Sequence, residues 1–318
     1  MQEFVAGSWR DQFVLTRDLR VPAERAEFFA QVRRGDYVAV LRGVYVAAQT
    51  WSRMRADERY RMLTLAVAAR DGSGHVFSHQ SAASLWRLPW VGSWPTVAHV
   101  TTERAAGGRS NASLFRHTLG LAQPLVAFDG VLATTLARTV IDVARVASFA
   151  QAVVVADAAL RRTAHPIAGV PSTSLSRDDL VFELGATPLV RGCAKARAVV
   201  HFADGAADRP GESLSRVSMR AVGAPTPRLQ EKVVGASGKV YFGDFFWPTT
   251  RLVGEFDGEA KYRDPEFLSG RTPEQALRDE KAREDDIRAA GYGMTRWGWA
   301  VARSPARMRA QLVAAGLR

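Results

Sequence analysis

The stretch VYFGDFFWPTTRLVGEFD, residues 240 to 257, constrains this chain more than any other. Two apolar runs flank Trp247-Pro248-Thr249-Thr250, the pattern of a β-hairpin with a loop of about four residues. Side chains alternate along a strand, so Val253, Glu255 and Asp257 share one face, while Leu252 and Phe256 lie on the other. Setting Phe246 opposite Arg251 places Asp244 opposite Val253 and makes Glu255 its diagonal neighbour, at about 7 to 8 Å between backbones. One face, with Phe245, Leu252 and Phe256, then suits a core, and the other carries carboxylates. Two carboxylates about 6 Å apart repel by roughly 2 to 3 kcal/mol at an effective dielectric of about 20, so the ribbon needs positive charge. Lys261 can supply one such charge and a hard divalent cation held by oxygens another.

The remainder of the chain gives this ribbon its setting. At 318 residues the sequence is long enough for two or three domains, each with its own core. A content of 47% hydrophobic and 24% charged residues is that of a globular protein, and no apolar run reaches the length needed to cross a bilayer. The opening MQEFVAGSWRDQF has no apolar segment before a small-residue cleavage site, and the single Cys193 allows no intrachain disulfide. These features predict a bacterial-type cytoplasmic protein with no membrane partner. The net charge of +11 favours a polyanion, because each neutralised phosphate releases condensed counterions. The excess divides as about +3, +3 and +5 over residues 1–55, 56–194 and 195–318, so no basic tail stands out.

Residues 13 to 47 predict a helix with Phe28, Phe29 and Val32 on one side, stopped by Gly35. Two strands follow, Tyr37 to Leu41 and Val44 to Ala47, joined by a tight turn at Arg42-Gly43. A helical part followed by a short hairpin makes a winged helix, with Arg25, Arg33, Arg34 and Arg42 as candidate DNA contacts; an ordinary solvated face is the alternative. The run RRGDYVAVLRGVYV resembles the degenerate winged helix that opens AbiEi-type antitoxins of type IV toxin-antitoxin systems. It departs from that pattern in LTRDLRVPAE, where no full second helix fits, which favours backbone binding over base-specific readout.

From residue 56 the pattern becomes α/β. The helix ADERYRMLTLAVAARDG leads into a strand and helix in HVFSHQSAASLWRLP, with Ser78 or His79 at the helix start and Pro89 closing it. TVAHVTTE and SLFRHT read as strands, and VLATTLARTVIDVARVASFAQAVVVADAALRR as a strand and two helices. Thr135, Arg138 and Thr139 match the Thr-x-x-Arg-Thr helix of the same AbiEi-like family. In physical terms Thr135 is a cap, and Arg138 and Asp142 can pair at i, i+4 on the helix surface. The six histidines are scattered in sequence; the close pair His75 and His79 spans a strand-to-helix junction, so no zinc site is expected. VVGASGKV lacks the first glycine and the hydroxyl of a phosphate loop and reads as a turn. Residues 163 to 177, rich in Pro, Ser, Thr and Gly, read as a linker.

The carboxy-terminal region carries the chemistry. Carboxylates that grip Mg²⁺ beside a lysine form an apparatus for phosphodiester cleavage. PGESLSR, DFFWPTTRLVGEFDGEAKY, EKAREDDIRAAGY and MTRWGWA together resemble the PD-(D/E)xK nuclease superfamily, and within it small proteins similar to the very-short-patch-repair endonuclease. The resemblance implies Asp244 as the superfamily aspartate, Glu255 as second acidic ligand and Glu212 as the first-helix carboxylate. Glu259-Ala260-Lys261 fits the acid-x-Lys spacing literally, yet hairpin register makes Glu255 and Asp257 the better ligands, with Lys261 reaching back. The helix from Thr272 to Gly291, capped by Thr272 with Pro273 and Gln275, presents Glu280, Lys281 and Glu284 toward the same cleft, and Lys281 is a candidate supporting cation. Glu280, Arg283 and Asp285 are expected on a solvated helix surface.

The expected architecture is therefore α/β and multidomain: a winged helix over 1–55, an α/β middle domain over 56–200, and over 205–318 a restriction-endonuclease-like mixed sheet flanked by helices. The expected function is a Mg²⁺- or Mn²⁺-dependent DNA endonuclease. The alternative is a non-catalytic repressor or antitoxin with a degenerate nuclease fold and a possible toxin partner.

Overall fold

The computed structural model describes residues 9–72, 74–103, 110–118, 120, 124–187, 191–258 and 272–317. Among them are twelve α-helices and three sheets, mixed or antiparallel, none closed into a barrel. The chain divides into two compact units, Met1–Ala203 and Asp204–Arg318. The stretch 163–177 lies inside the first unit and does not separate two. Its loop is anchored, since Leu175 is buried and its amide and carbonyl both bond the Thr163 hydroxyl. Proline and serine mark irregular backbone there, but irregular backbone that is hydrogen-bonded is not a free linker.

In the first unit, strands β1 (Val14–Leu15), β2 (Tyr37–Leu41) and β3 (Val44–Ala47) form an antiparallel sheet ordered β1-β3-β2. Helix α1 (Pro22–Arg34) starts on Pro22, whose missing N–H costs nothing at that position, and ends on Gly35 in the left-handed region at φ 88°. It packs Phe28 against the rings of Tyr37 and Tyr45. Helices α2 (Ala48–Arg53) and α3 (Ala56–Asp71) follow.

The second sheet of this unit takes β4 (Val76–Phe77), β5 (Ala98–Thr101), β6 (Leu114–His117), β7 (Leu125–Phe128) and β8 (Val131–Thr134) in the order β6-β5-β4-β8-β7. The β4–β8 and β5–β6 pairs are parallel. Helix α4 (His79–Leu85) ends four residues before Pro89, where Leu88 N–H closes the turn on the Ala83 carbonyl. Helix α5 (Leu136–Val146) begins on Thr135, whose hydroxyl accepts from Arg138 N–H. The Arg138–Asp142 pair, expected on the helix surface, is buried at 2.9 Å, because α5 is enclosed by α4, α6 (Phe149–Arg161), α7 (Arg177–Ala186) and α8 (Cys193–Phe202).

The second unit runs α9 (Pro210–Ala221), β9 (Arg228–Val234), β10 (Val240–Trp247), β11 (Leu252–Phe256), α10 (Pro273–Ala289), β12 (Gly293–Trp297), α11 (Trp299–Ala302) and α12 (Pro305–Ala314). Its sheet is ordered β12-β11-β10-β9, an antiparallel meander with β12 added parallel to β11. A parallel neighbour requires a crossover, and α10 is a helix on that connection. Thr272 and Gln275 cap it reciprocally. Every residue of β11 is buried, as expected of a central strand covered on both faces. Val253 packs with Val233, Ile287 of α10 and Met294 on one side. Phe256 and Trp297 meet α9 on the other, Trp297 donating its indole N–H to Ser215.

The hairpin register differs from the sequence expectation by two residues. Phe246 pairs with Val253 and Trp247 with Leu252, so the same register carried on sets Asp244 opposite Glu255 rather than Val253. Two side chains cause the shift. Trp247 stays in the strand, buried, with its indole N–H on the Pro225 carbonyl. Arg251 leaves the ladder at φ 48° and caps the end of α10 through the carbonyls of Ala290 and Gly291. The VVGASGKV segment is a turn, held by Asp286 of α10 accepting from Ser237 N–H and hydroxyl. A Cβ on Gly235 would collide with that carboxylate.

Candidate functional site

Three carboxylates of the second unit converge from three elements. Gly211 in the first turn of α9 lies so close to the Phe256 ring that a Cβ there would overlap it. That approach brings the next residue, Glu212, to β10. Glu212 is 2% exposed; one oxygen accepts from Asp208 N–H at 2.8 Å and from the Gln230 amide at 3.2 Å. The same Gln230 amide reaches Asp244 at 3.4 Å, and Gln230 holds a left-handed backbone at φ 49° to do so. The other Asp244 oxygen accepts from Phe256 N–H at 2.8 Å. Burial, and then the Asp244 charge, push the Glu212 carboxyl up to about 8.

Glu255, 6% exposed, meets two guanidinium groups: Arg283 of α10 at 2.5 Å and Arg296 of β12 at 3.2 Å. Arg296 also binds Glu280 at 2.6 Å, and Arg283 donates to the Phe242 carbonyl at 2.8 Å. Burial raises the Glu255 pKa, the two arginines oppose that shift, and the Asp244 charge adds to it. Much of the positive charge that the ribbon requires is therefore arginine.

Asp257 follows at the end of β11, its amide bonded to the Trp297 carbonyl. Glu259 and Lys261 lie outside the described residues. Lys281 is exposed on α10. The face of α10 turned to the sheet carries Glu280, Arg283, Glu284 and Ile287, at the i, i+3, i+4, i+7 spacing of one helical stripe. Glu280 and Arg283, expected on a solvated helix surface, instead face the sheet because Ile287 of the same stripe is buried in its core, and Arg296 was not singled out in the sequence. Ile287 is the signal that could have found Arg283, since a buried residue fixes which of its helical neighbours face inward.

Among the described residues no three His, Cys, Asp or Glu side chains are gathered closely enough to hold a metal ion by themselves. That does not argue against Mg²⁺, which keeps several waters and binds through one or two carboxylates plus substrate phosphates. The Glu212–Asp244 pair fits such an ion: both offer hard oxygens, and burial first, with the Asp244 charge second, keeps Glu212 protonated near neutrality. Glu255, held by two arginines, is a poorer first ligand.

Of the four candidate DNA-contact arginines in the first unit, Arg25 and Arg42 line one 490 Å³ cavity together with Arg17, Phe29 and Tyr45. Arg17 is fixed there by donating to the Ala69 and Arg70 carbonyls. Arg34 pairs with Asp36 at 3.2 Å and Glu27 at 3.6 Å, and Arg33 is exposed. The histidines are less scattered than the sequence suggests: His79 at the start of α4 meets His99 of β5 and His117 of β6, with the rings of His79 and His117 stacked 3.5 Å apart. Pairing of β5 with β6 brings residues 99 and 117 together, the Ser78 amide bonds the His99 carbonyl and so sets residue 79 beside them, and no short-range spacing signals it.

No family model matches this chain. Two curated relatives from Mycobacterium tuberculosis do: Uncharacterized protein MT2308 of strain CDC 1551 / Oshkosh and Uncharacterized protein Rv2248 of strain ATCC 25618 / H37Rv. Each is 30% identical over 256 residues, covering 80% of this chain and 83% of the relative.

Proposed function

This chain belongs to the family of the mycobacterial proteins Rv2248 and MT2308, and we propose that it binds DNA and that its second unit hydrolyses DNA phosphodiester bonds with Mg²⁺ or Mn²⁺. We read the order α9-β9-β10-β11-α10-β12 as a PD-(D/E)xK core similar to the very-short-patch-repair endonuclease. Residues 13–47 are read as the compressed winged helix of AbiEi-type antitoxins, and the chain as cytoplasmic, in keeping with the lack of any membrane-spanning helix among the described residues. One observation carries the proposal: Glu212, Asp244 and Glu255 approach one another from α9, β10 and β11, at a cost to stability. A carboxyl kept protonated beside a carboxylate is a poor structural device and a good cation seat.

The roles follow from the contacts. Phe256 N–H and the Gln230 amide orient Asp244, and Gln230 and Asp208 N–H orient Glu212. Glu212 gives up its proton when positive charge arrives. A divalent ion bound there would supply positive charge against the phosphate and a more acidic attacking water. Arg283, tethered to Glu255, is positioned to meet a phosphate oxygen. Lys261 is assigned to charge developing on the reacting phosphate, Asp257 to the carboxylate face beside it, and Lys281 to support the DNA backbone.

The test is nicking of supercoiled DNA by the purified chain. Nicking with Mg²⁺ or Mn²⁺, abolished by EDTA and by Asp244→Asn in a folded variant, is expected. Nicking that survives Asp244→Asn or EDTA contradicts the proposal. A second reading, a non-catalytic repressor or antitoxin that binds DNA and a toxin, is favoured by the pairing of Glu255 with two arginines, which neutralises it without a metal. It predicts salt-sensitive DNA binding without cutting.

A further inference from the structure

The first unit contains a cavity of 630 Å³ lined by His79, Phe115, His117, Arg145, Arg191 and Lys195, and among the described residues no acidic side chain lines it. Three features make it a built site. Arg145 is 5% exposed, yet its Nε and Nη1 make no hydrogen bond among the described residues. His79 is fully buried with Nε2 likewise unsatisfied, and it adopts a left-handed φ of 50°. Burying such polar groups without partners costs about 1 to 3 kcal/mol each, more for charged groups, and a non-glycine residue in that conformation adds strain.

The histidines are held in register with one another. Ser78 and His79 Nδ1 are 2.9 Å apart, and so are His99 Nδ1 and His117 Nε2. Burial depresses the pKa of all three, to about 3 for His117 and about 4 for His99, so they are neutral rings near pH 7. Behind Arg145, Asp142 and Glu183 are engaged by Arg138. The Lys195 ammonium donates to the Ala147 carbonyl at 2.5 Å, which fixes it at the wall. Beside these cations Phe115, 45% exposed, presents a ring that packs 4.7 Å from that of His117. Guanidinium and ammonium groups next to an open aromatic platform are the elements that recognise a phosphate and its base.

We propose that this cavity binds a nucleoside phosphate, with the phosphoryl oxygens on Arg145, Arg191 and Lys195 and the base on Phe115. The ligand is either a free nucleotide or the 5′-phosphorylated end of a strand, which present the same chemistry. Calorimetric titration of the full chain with inorganic phosphate, AMP and a 5′-phosphorylated tetranucleotide, alongside histidine NMR, tests it. AMP is expected to shift the His79 and His117 resonances and to bind about fivefold or more tightly than phosphate, the increment of one stacked base. Phe115→Ala should remove that increment and leave phosphate binding unchanged. Arg191→Ala should weaken both by about tenfold. Arg145→Met tests the buried donor directly, and the two surface variants keep the test decisive if it misfolds. AMP matching the tetranucleotide identifies a free nucleotide, and a tighter tetranucleotide identifies a strand end. No histidine shift with any probe, equal binding of phosphate and AMP, or wild-type affinity in both surface variants overturns the proposal.

Discussion

Glu212→Gln removes an ionisable proton that burial and Asp244 hold on the site, and its effect can be worked out from the structure. The folded carboxyl is pushed up from 4.5 to about 8 by burial and by Asp244. Above pH 4.5 the unfolded chain releases a proton that the folded chain keeps. Stability from this group is therefore complete below pH 4.5, falls as pH rises toward 8, and is level beyond. One proton corresponds to a slope of up to about 1.4 kcal/mol per pH unit, on the order of 4 kcal/mol between pH 5 and 8. Glutamine keeps the shape and an acceptor for Asp208 N–H but has nothing to ionise. Hydrogen exchange of strands 228–256, compared between wild type and variant at equal pH, reads the difference because intrinsic exchange cancels. The variant should gain stability relative to wild type progressively from pH 5 to 8. Parallel profiles would show that Glu212 ionises normally and would refute the cation-seat argument.

Other consequences are more local. Gly211→Ala forces a Cβ into the Phe256 ring and should destabilise the second unit by about 1 to 3 kcal/mol in urea unfolding, unless α9 can shift freely, in which case no loss appears. Arg296→Met leaves Glu255 with one partner and an enclosed charge; a cost of about 3 to 5 kcal/mol is expected, and a near-neutral result would mean Arg283 suffices. Thr272→Ala removes the α10 cap, which should lower stability by about 1 kcal/mol and raise exchange in the first turn of that helix. Arg25→Ala and Arg42→Ala should each weaken DNA binding and reduce the salt slope by about 1, whereas Arg34→Ala, already paired with acids, should change it less.

Local chemistry in this chain was legible where it is decided within a few residues. Gly35 and the Arg42-Gly43 turn delimit α1, β2 and β3, and Thr272, Pro273 and Gln275 start α10, because caps and turns act over one turn of backbone. The hairpin was visible, but its register was not: Trp247 and Arg251 are fixed by Pro225 and by α10, both remote in sequence. For the same reason Asp244 and Glu255 could be placed on one face while their partners, Gln230, Arg283 and Arg296, could not. Arg138 and Asp142 looked like an exposed pair because i, i+4 spacing reports proximity and says nothing about what covers the helix. The histidine cluster needed strand pairing between β5 and β6, which no periodicity encodes.

The central claim is that Glu212 and Asp244 form a seat for a divalent cation. Calorimetric titration of Mn²⁺ or Mg²⁺ at pH 7, in two buffers of different ionisation enthalpy, tests it most directly. Binding that releases close to one proton, with the release lost in Glu212→Gln and the binding lost in Asp244→Asn, is the predicted result. Binding with no proton release, or binding that persists unchanged in Asp244→Asn, would contradict it.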